Sequence, residues 1–310
     1  MVFLNSFGQW LPERVVSNEE MGALLGCEPE WIRSVSGIEE RRFASEIDTV
    51  ACMGVNAARN CLEMAGVGAS GVGYVICSSG SAERRFPGPA LEIAHTLGCS
   101  GVPALDLPIA SAGSLVALDM ARDLVHRYKR VLVVASEKMS SVALMEPLER
   151  GVSMLFGDGA GACLVSEEPG PLEVVDSLVA ADGQYANDLA LPFGAPLFMN
   201  GRSVILQASR KVPRSIEELL ERNHLKPSDI ANYVMHQANL NLIARVAAAL
   251  GVEGQRFFAN IAQYGNTSSA SLLIAASEWL ATSTSHKGDH TVLTAFGAGF
   301  QWGAMLLRAA

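Results

Sequence analysis

GYVICSSG at residues 73–80 and NYVMHQAN at residues 232–239 follow one pattern, an apolar strand running into a small polar turn. Their tyrosines, Tyr74 and Tyr233, stand 233 − 74 = 159 residues apart. A second pair keeps nearly the same interval: VLVVASE opens at Val131 and TVLTAFG at Thr291, with 291 − 131 = 160. Between these strands each part of the chain carries a strand, a small turn and a helical period. In the first this is ALDLPIASAGSLVALDMARDLV (104–125), in the second FFANIAQYGNTSSASLLIAASEWL (257–280). Short apolar runs alternating with helical periods mark parallel strands buried beneath helices. Two such units at a near-constant offset predict a duplicated α/β fold, with halves at residues 1–170 and 171–310. No Gly/Ser/Pro-rich or charged linker separates them, so one continuous core is expected. The stretch LALPFGAPLFMNGRS, residues 189–203, is expected to be a loop crossing between the halves.

The bulk properties narrow the function classes. Of 310 residues, 49% are hydrophobic and 18% charged, as in a globular chain with a large core. The longest apolar runs, such as Val131 to Ala135, fall far short of the ~20 residues of a membrane span. Residues 1–10 show neither a basic flank nor a sustained apolar stretch, so no signal peptide and a cytoplasmic location are expected. A net charge of −9 without a basic stripe speaks against nucleic acid as a partner. The six cysteines (Cys27, Cys52, Cys61, Cys77, Cys99, Cys163) have no metal-like spacing; they are expected to be reduced and buried, and no metal is expected.

FGDGAGACLV resembles a nucleotide loop, but its glycines run into an apolar, strand-like segment rather than opening a helix. They are expected to allow close backbone approach inside a sheet. No GxSxG elbow, HExxH or P-loop is present. Three residues stand at strand ends. Ser111 follows the strand ALDLPIA and precedes a helix whose Leu115, Leu118, Ala121 and Val125 fall at helical spacing. Such a turn favours negative charge on an attacking group, although a serine there can simply cap the helix. His236 closes an apolar strand, and Asn266 lies in the turn YGNTSS. A structural histidine and another helix cap are the plainer readings of these two. Their corresponding positions in two repeated units point to convergence on one site.

Several segments, in order along nearly the whole chain, carry a resemblance. They are LPERVVSNEE, EWIRSVSGIEERR, RRFPGPALEIAHTLG, LDLPIASAG, ERGVSMLFGDGAGA, MHQANLNLI, YGNTSSASL and AFGAGFQWG. The chain resembles β-ketoacyl-acyl-carrier-protein synthase III, with Ser111 where that family has its nucleophilic cysteine. The resemblance implies a thiolase-like fold in five layers (αβαβα), a homodimer, acyl-CoA as substrate and no permanently bound cofactor. It implies an acyltransferase in which residue 111 takes the acyl group, while His236 and Asn266 promote decarboxylation of a malonyl thioester. The N–H groups of Ser111 and Ala298 match the oxyanion hole. Trp31 and Arg150 match the pair holding the adenine of coenzyme A, Asn239 a residue of the pantetheine tunnel, and Phe86 one that reaches the partner's acyl pocket.

Three departures bear on chemistry. A serine hydroxyl is not ionised by a helix dipole alone and needs a base, for which His236 is the candidate. The basic face that docks acyl carrier protein is replaced by Asn241, Ala248 and Ala249, which weakens the attraction for an acidic partner, with Lys226 and Arg245 left to compensate in part. Val35 stands where the family often has an arginine, with Arg33 nearby. Three alternatives accompany the condensing reading. Ser111 could replace a native cysteine, the acyl group could pass to an alcohol or amine, or the chain could be a non-catalytic subunit supporting an active partner. Retention of both His236 and Asn266 argues against the last.

Overall fold

A computed structural model describes all of residues 1–310. Ten strands form its main sheet. Five come first in the chain: β1 (Phe3–Trp10), β2 (Tyr74–Ser78), β3 (Ala104–Leu107), β4 (Arg130–Lys138) and β5 (Asp158–Ser166). Five follow: β6 (Leu172–Ala181), β7 (Ile230–Met235), β8 (Phe257–Phe258), β9 (His290–Gly297) and β10 (Gln301–Ala309). The first five lie in the order β3-β2-β4-β5-β1, the second in the order β8-β7-β9-β10-β6. In each set the first two pairings are parallel and the last two antiparallel. The sets meet only where Phe3 and Leu4 pair with Glu173 and Leu172. Tyr74 lies opposite Val131, and Tyr233 opposite Val292. The two apolar strands correspond, and the register makes Val292, one residue beyond Thr291, the equivalent of Val131.

The helices that pack on these strands are α1 (Val50–Ala65), α2 (Pro89–Leu97), α3 (Gly113–Tyr128), α4 (Gly201–Arg222), α5 (Leu240–Leu250) and α6 (Ala270–Thr282). Alternate residues of a strand face opposite sides of its sheet. Val131, Val133 and Ala135 of β4 accordingly pack with α3 and α6, while Leu132 and Val134 pack with α1 and α2. In the second set Leu293 and Ala295 reach the same central pair of helices, and Val292 and Phe296 pack with α4 and α5. Both five-stranded sets are covered on both faces, which is why their strands read as continuous apolar runs. The layers are α, β, α, β, α, and the central pair α3 and α6 contributes one helix from each repeat.

From Asp158 onward FGDGAGACLV belongs to β5, where a methyl on Gly161 would lie 2.5 Å from Leu273 Cβ of α6. The glycine admits the helix. Residues 189–203 are more ordered than a plain crossing loop: Leu189–Ala190 pairs with Phe198–Met199 as a short antiparallel ribbon leading into α4. No cysteine pair is bridged; Cys61, Cys77, Cys99 and Cys163 are buried, whereas Cys52, expected inside, is exposed on α1. No helix is long and apolar enough to cross a membrane.

Candidate active site

The chain passes from β3 into α3 through Ser111, which has φ 60°. Non-glycine residues rarely hold this left-handed conformation and keep it only where neighbours impose it. The cap residue of α3 is Ala112, with no side-chain cap bond, so Ser111 does not serve as the helix cap. Gly297, the last residue of β9, lies against the turn. A Cβ there would come within 2.4 Å of Ala110 O and 2.6 Å of Ala112 N. The elbow of the first repeat is thus fitted against a strand end of the second.

The turn before α6 supplies the other side. Ser111 N–H donates to Ser268 Oγ at 3.1 Å, and Ser268 itself has φ 48°. Ser268 N–H in turn donates to Asn266 Oδ1 at 2.9 Å. This bond fixes the amide orientation and leaves the Nδ2 donors of Asn266 for the cavity it lines. The Asn266 backbone is tied to the first repeat, accepting from Gly157 N–H at 3.1 Å and donating to Leu155 O at 2.9 Å.

His236 follows β7, its N–H donating to Thr294 O at 2.9 Å. Its ring is 2% exposed, with Nδ1 2.5 Å from Ser271 Oγ. Burial pushes the imidazolium pKa down to about 4, so the ring is neutral at physiological pH. A further buried group joins the repeats. Glu137, the penultimate residue of β4, accepts from Ser81 Oγ at 2.5 Å, Ser269 Oγ at 2.6 Å, Gly80 N–H at 3.0 Å and Ser269 N–H at 3.2 Å. The sequence reading missed Glu137, Ser268 and Ser271. For Glu137 a signal existed, a carboxylate closing the apolar run VLVVASE.

Ser111, His236, Asn266, Ser268 and Asn239 line one cavity of about 780 Å³, its open mouth included. The rest of the wall is largely apolar, with Met139, Leu155, Phe156, Leu189, Met199, Val204, Leu242 and Phe296. None of the six cysteines lines it, and burial raises the Cys77 and Cys163 thiols well above their ordinary range. Asn239 is already engaged: it caps α5 through Oδ1 and donates from Nδ2 to Val35 O at 2.8 Å.

Four other residues singled out from sequence stand off the wall. Ala298 follows Gly297 beside the elbow; Trp31 and Arg150 are exposed, and Phe86 is 85% exposed. Arg33 is paired with Glu39 at 2.7 Å. Asn241, Arg245, Ala248 and Ala249 form the exposed side of α5, where Arg245 is the sole cation. Asn241 is also structural, since its Nδ2 donates to Ser34 O at 3.1 Å.

Comparison with known proteins agrees with this architecture. The models of 3-oxoacyl-[acyl-carrier-protein] synthase III and of its C-terminal region match residues 105–183 and 220–309. A β-ketoacyl-[acyl-carrier-protein] synthase III of Oleidesulfovibrio alaskensis is 36% identical, covering 99% of this chain and 98% of its own. The crystal structure of the Aquifex aeolicus 3-oxoacyl-[acyl-carrier-protein] synthase III superposes with a TM-score of 0.95 at 32% identity, covering 99% of this chain and 100% of that one. The priming β-ketosynthase of a polyketide biosynthetic pathway superposes with a TM-score of 0.91 at 31% identity, over 100% of this chain and 96% of that one. With fold and sequence in agreement, this chain belongs to the 3-oxoacyl-[acyl-carrier-protein] synthase III family of condensing acyltransferases.

Proposed function

We propose that the chain condenses an acyl group from coenzyme A with a malonyl thioester, carrying the acyl group on Ser111. The observation that supports this most is the placing of Ser111, His236 and Asn266 on the wall of one apolar cavity with no thiol in it. In acylation, Ser111 Oγ bonds the acyl carbon, the C–S bond breaks, and the hydroxyl proton leaves on the coenzyme A sulfur. The N–H groups of Ala298 and Ser111 receive the carbonyl oxygen, the latter turning from Ser268 Oγ. In extension, the malonyl thioester loses carbon dioxide and its carbonyl becomes an enolate oxygen. Donors of Asn266 and His236 hold that charge. The carbanion attacks the acyl carbon and expels the Ser111 oxygen, which takes up a proton.

The remaining roles follow the family pattern. Trp31 and Arg150 hold the adenine, Asn239 shapes the pantetheine tunnel, and exposed Phe86 enters the acyl pocket of a second copy in a homodimer. Residues 1–170 and 171–310 are the two halves of a cytoplasmic enzyme with no permanently bound cofactor. With Asn241, Ala248 and Ala249 on α5, the extender is a coenzyme A thioester in preference to a carrier-bound one. Intact-protein mass spectrometry after incubation with a panel of acyl-CoAs tests the proposal. It requires an acyl adduct on the wild-type chain that is lost in Ser111→Ala; an unmodified wild-type mass with every acyl-CoA overturns it.

A further inference from the structure

We propose that Ser271 is a positioning residue that fixes the tautomer of His236, so that Nε2–H faces the cavity as a donor and this imidazole does not serve Ser111 as a base. The inference rests on the site reading above and replaces the general-base role for His236 expected from sequence.

A serine hydroxyl has one proton and two lone pairs. Ser271 lies in α6, 2% exposed, and its Oγ has two polar neighbours: Gln237 N at 3.0 Å and His236 Nδ1 at 2.5 Å. The Gln237 N–H can only donate, so it occupies one lone pair. Buried helical serines commonly give their proton to a carbonyl one turn back. Ser36 does so to Ile32 O and Ser215 to Val212 O, whereas Ser271 makes no such bond. The acceptor left for the hydroxyl proton is Nδ1. A neutral imidazole whose Nδ1 accepts carries its proton on Nε2.

The backbone around the ring is held to this geometry. Gln237 Nε2 donates to Met235 O at 2.6 Å and to Phe258 O at 3.3 Å, and its Oε1 accepts from Asn260 N–H at 3.1 Å. Gln237 therefore keeps its own N–H aimed at Ser271, and Ser271 keeps its proton on His236. Burial, which depresses the imidazolium pKa to about 4, maintains the neutral ring on which the tautomer is defined. Nε2–H then joins the Nδ2 donors of Asn266, an arrangement suited to a developing enolate oxygen and unable to accept a proton from Ser111.

The test is ¹⁵N spectroscopy of the full chain labelled at histidine, with the His236 signals identified by their loss in His236→Gln. The wild-type ring is expected to show a directly bonded proton on Nε2 and none on Nδ1 between about pH 6 and pH 8. A proton bonded to Nδ1 overturns the proposal, and this measurement needs no other variant to fold. Ser271→Ala should yield a mixture of tautomers and lower kcat for malonyl-CoA decarboxylation about 10- to 100-fold, with KM changed less than about 2-fold. Ser271→Thr, which retains the hydroxyl, should restore both readouts. A Ser271→Ala protein with the wild-type tautomer and kcat overturns the role of Ser271. Acyl transfer to Ser111, followed by mass, is measured separately, so failure of the site reading and failure of the tautomer are distinguishable.

Discussion

Ser111 and Ser268 are joined by a hydrogen bond from Ser111 N–H to Ser268 Oγ at 3.1 Å, and both hold left-handed backbone, φ 60° and φ 48°. Each such residue costs on the order of 1–3 kcal/mol and persists only where its surroundings over-determine it. Here the two strained turns constrain each other, and Gly297 closes the third side against Ala110 and Ala112. The elbow is an assembled feature, made where the two repeats touch.

Gly297→Ala tests that assembly. The added methyl meets backbone atoms at 2.4 and 2.6 Å, which no rotamer change can relieve. Overpacking of this kind costs about 1–3 kcal/mol. The variant should melt several degrees lower and lose acyl-enzyme formation; a wild-type melting temperature with full acylation would show that the elbow tolerates displacement.

Ser111→Cys should raise acyl-CoA-dependent condensation by about 10-fold or more, because the helix N-terminus stabilises a thiolate and a thioester is the better electrophile for a carbanion. Ser111→Ala should form no acyl-enzyme. An adduct persisting in Ser111→Ala would place the nucleophile elsewhere. Condensation lost in Ser111→Cys, with the thioester still formed, would indicate a site rebuilt around an oxyester.

The His236 ring sets a pH dependence whose sign follows from burial. Its pKa falls from the ordinary 6.5 to about 4 in the folded chain, so between these values the unfolded state binds more protons. Stability therefore falls as pH drops from 6.5 towards 4, by roughly 3 kcal/mol in all. Urea midpoints of wild type and His236→Gln should converge on acidification through this window. Decarboxylation should be flat above about pH 6 and decline only near pH 4, where the ring protonates. A rate that titrates near 6.5 would contradict the buried neutral ring.

Ala248→Lys/Ala249→Lys adds two cations to the exposed side of α5 and spares Asn241, which holds Ser34 O. At low salt it should raise kcat/KM for malonyl-carrier about 10-fold and make that value salt-dependent, with malonyl-CoA turnover unchanged. Wild-type protein that already turns over both extenders equally, with steep salt dependence for the carrier, would refute the coenzyme A preference.

The chain itself determined the architecture. Apolar runs at Tyr74, Val131, Tyr233 and Thr291 encode strands covered on both faces, because a doubly buried strand has no reason to alternate. Their near-constant offsets encode the repeat, and the helical spacing of Leu115, Leu118, Ala121 and Val125 encodes the buried face of α3. Ser111, His236 and Asn266 could be singled out as candidates because each stands in a small polar turn between an apolar run and a helical period. Only the tertiary structure decided which side chains complete them. Ser268 bonds Ser111 across 157 residues, Ser269 bonds Glu137 across 132, and Ser271 bonds His236 across 35. Periodicity reports which face of an element is covered, since burial acts on every turn or pleat. A single hydrogen-bond partner is chosen by sheet register and by how closely two layers approach, and it leaves no spacing in the sequence to read.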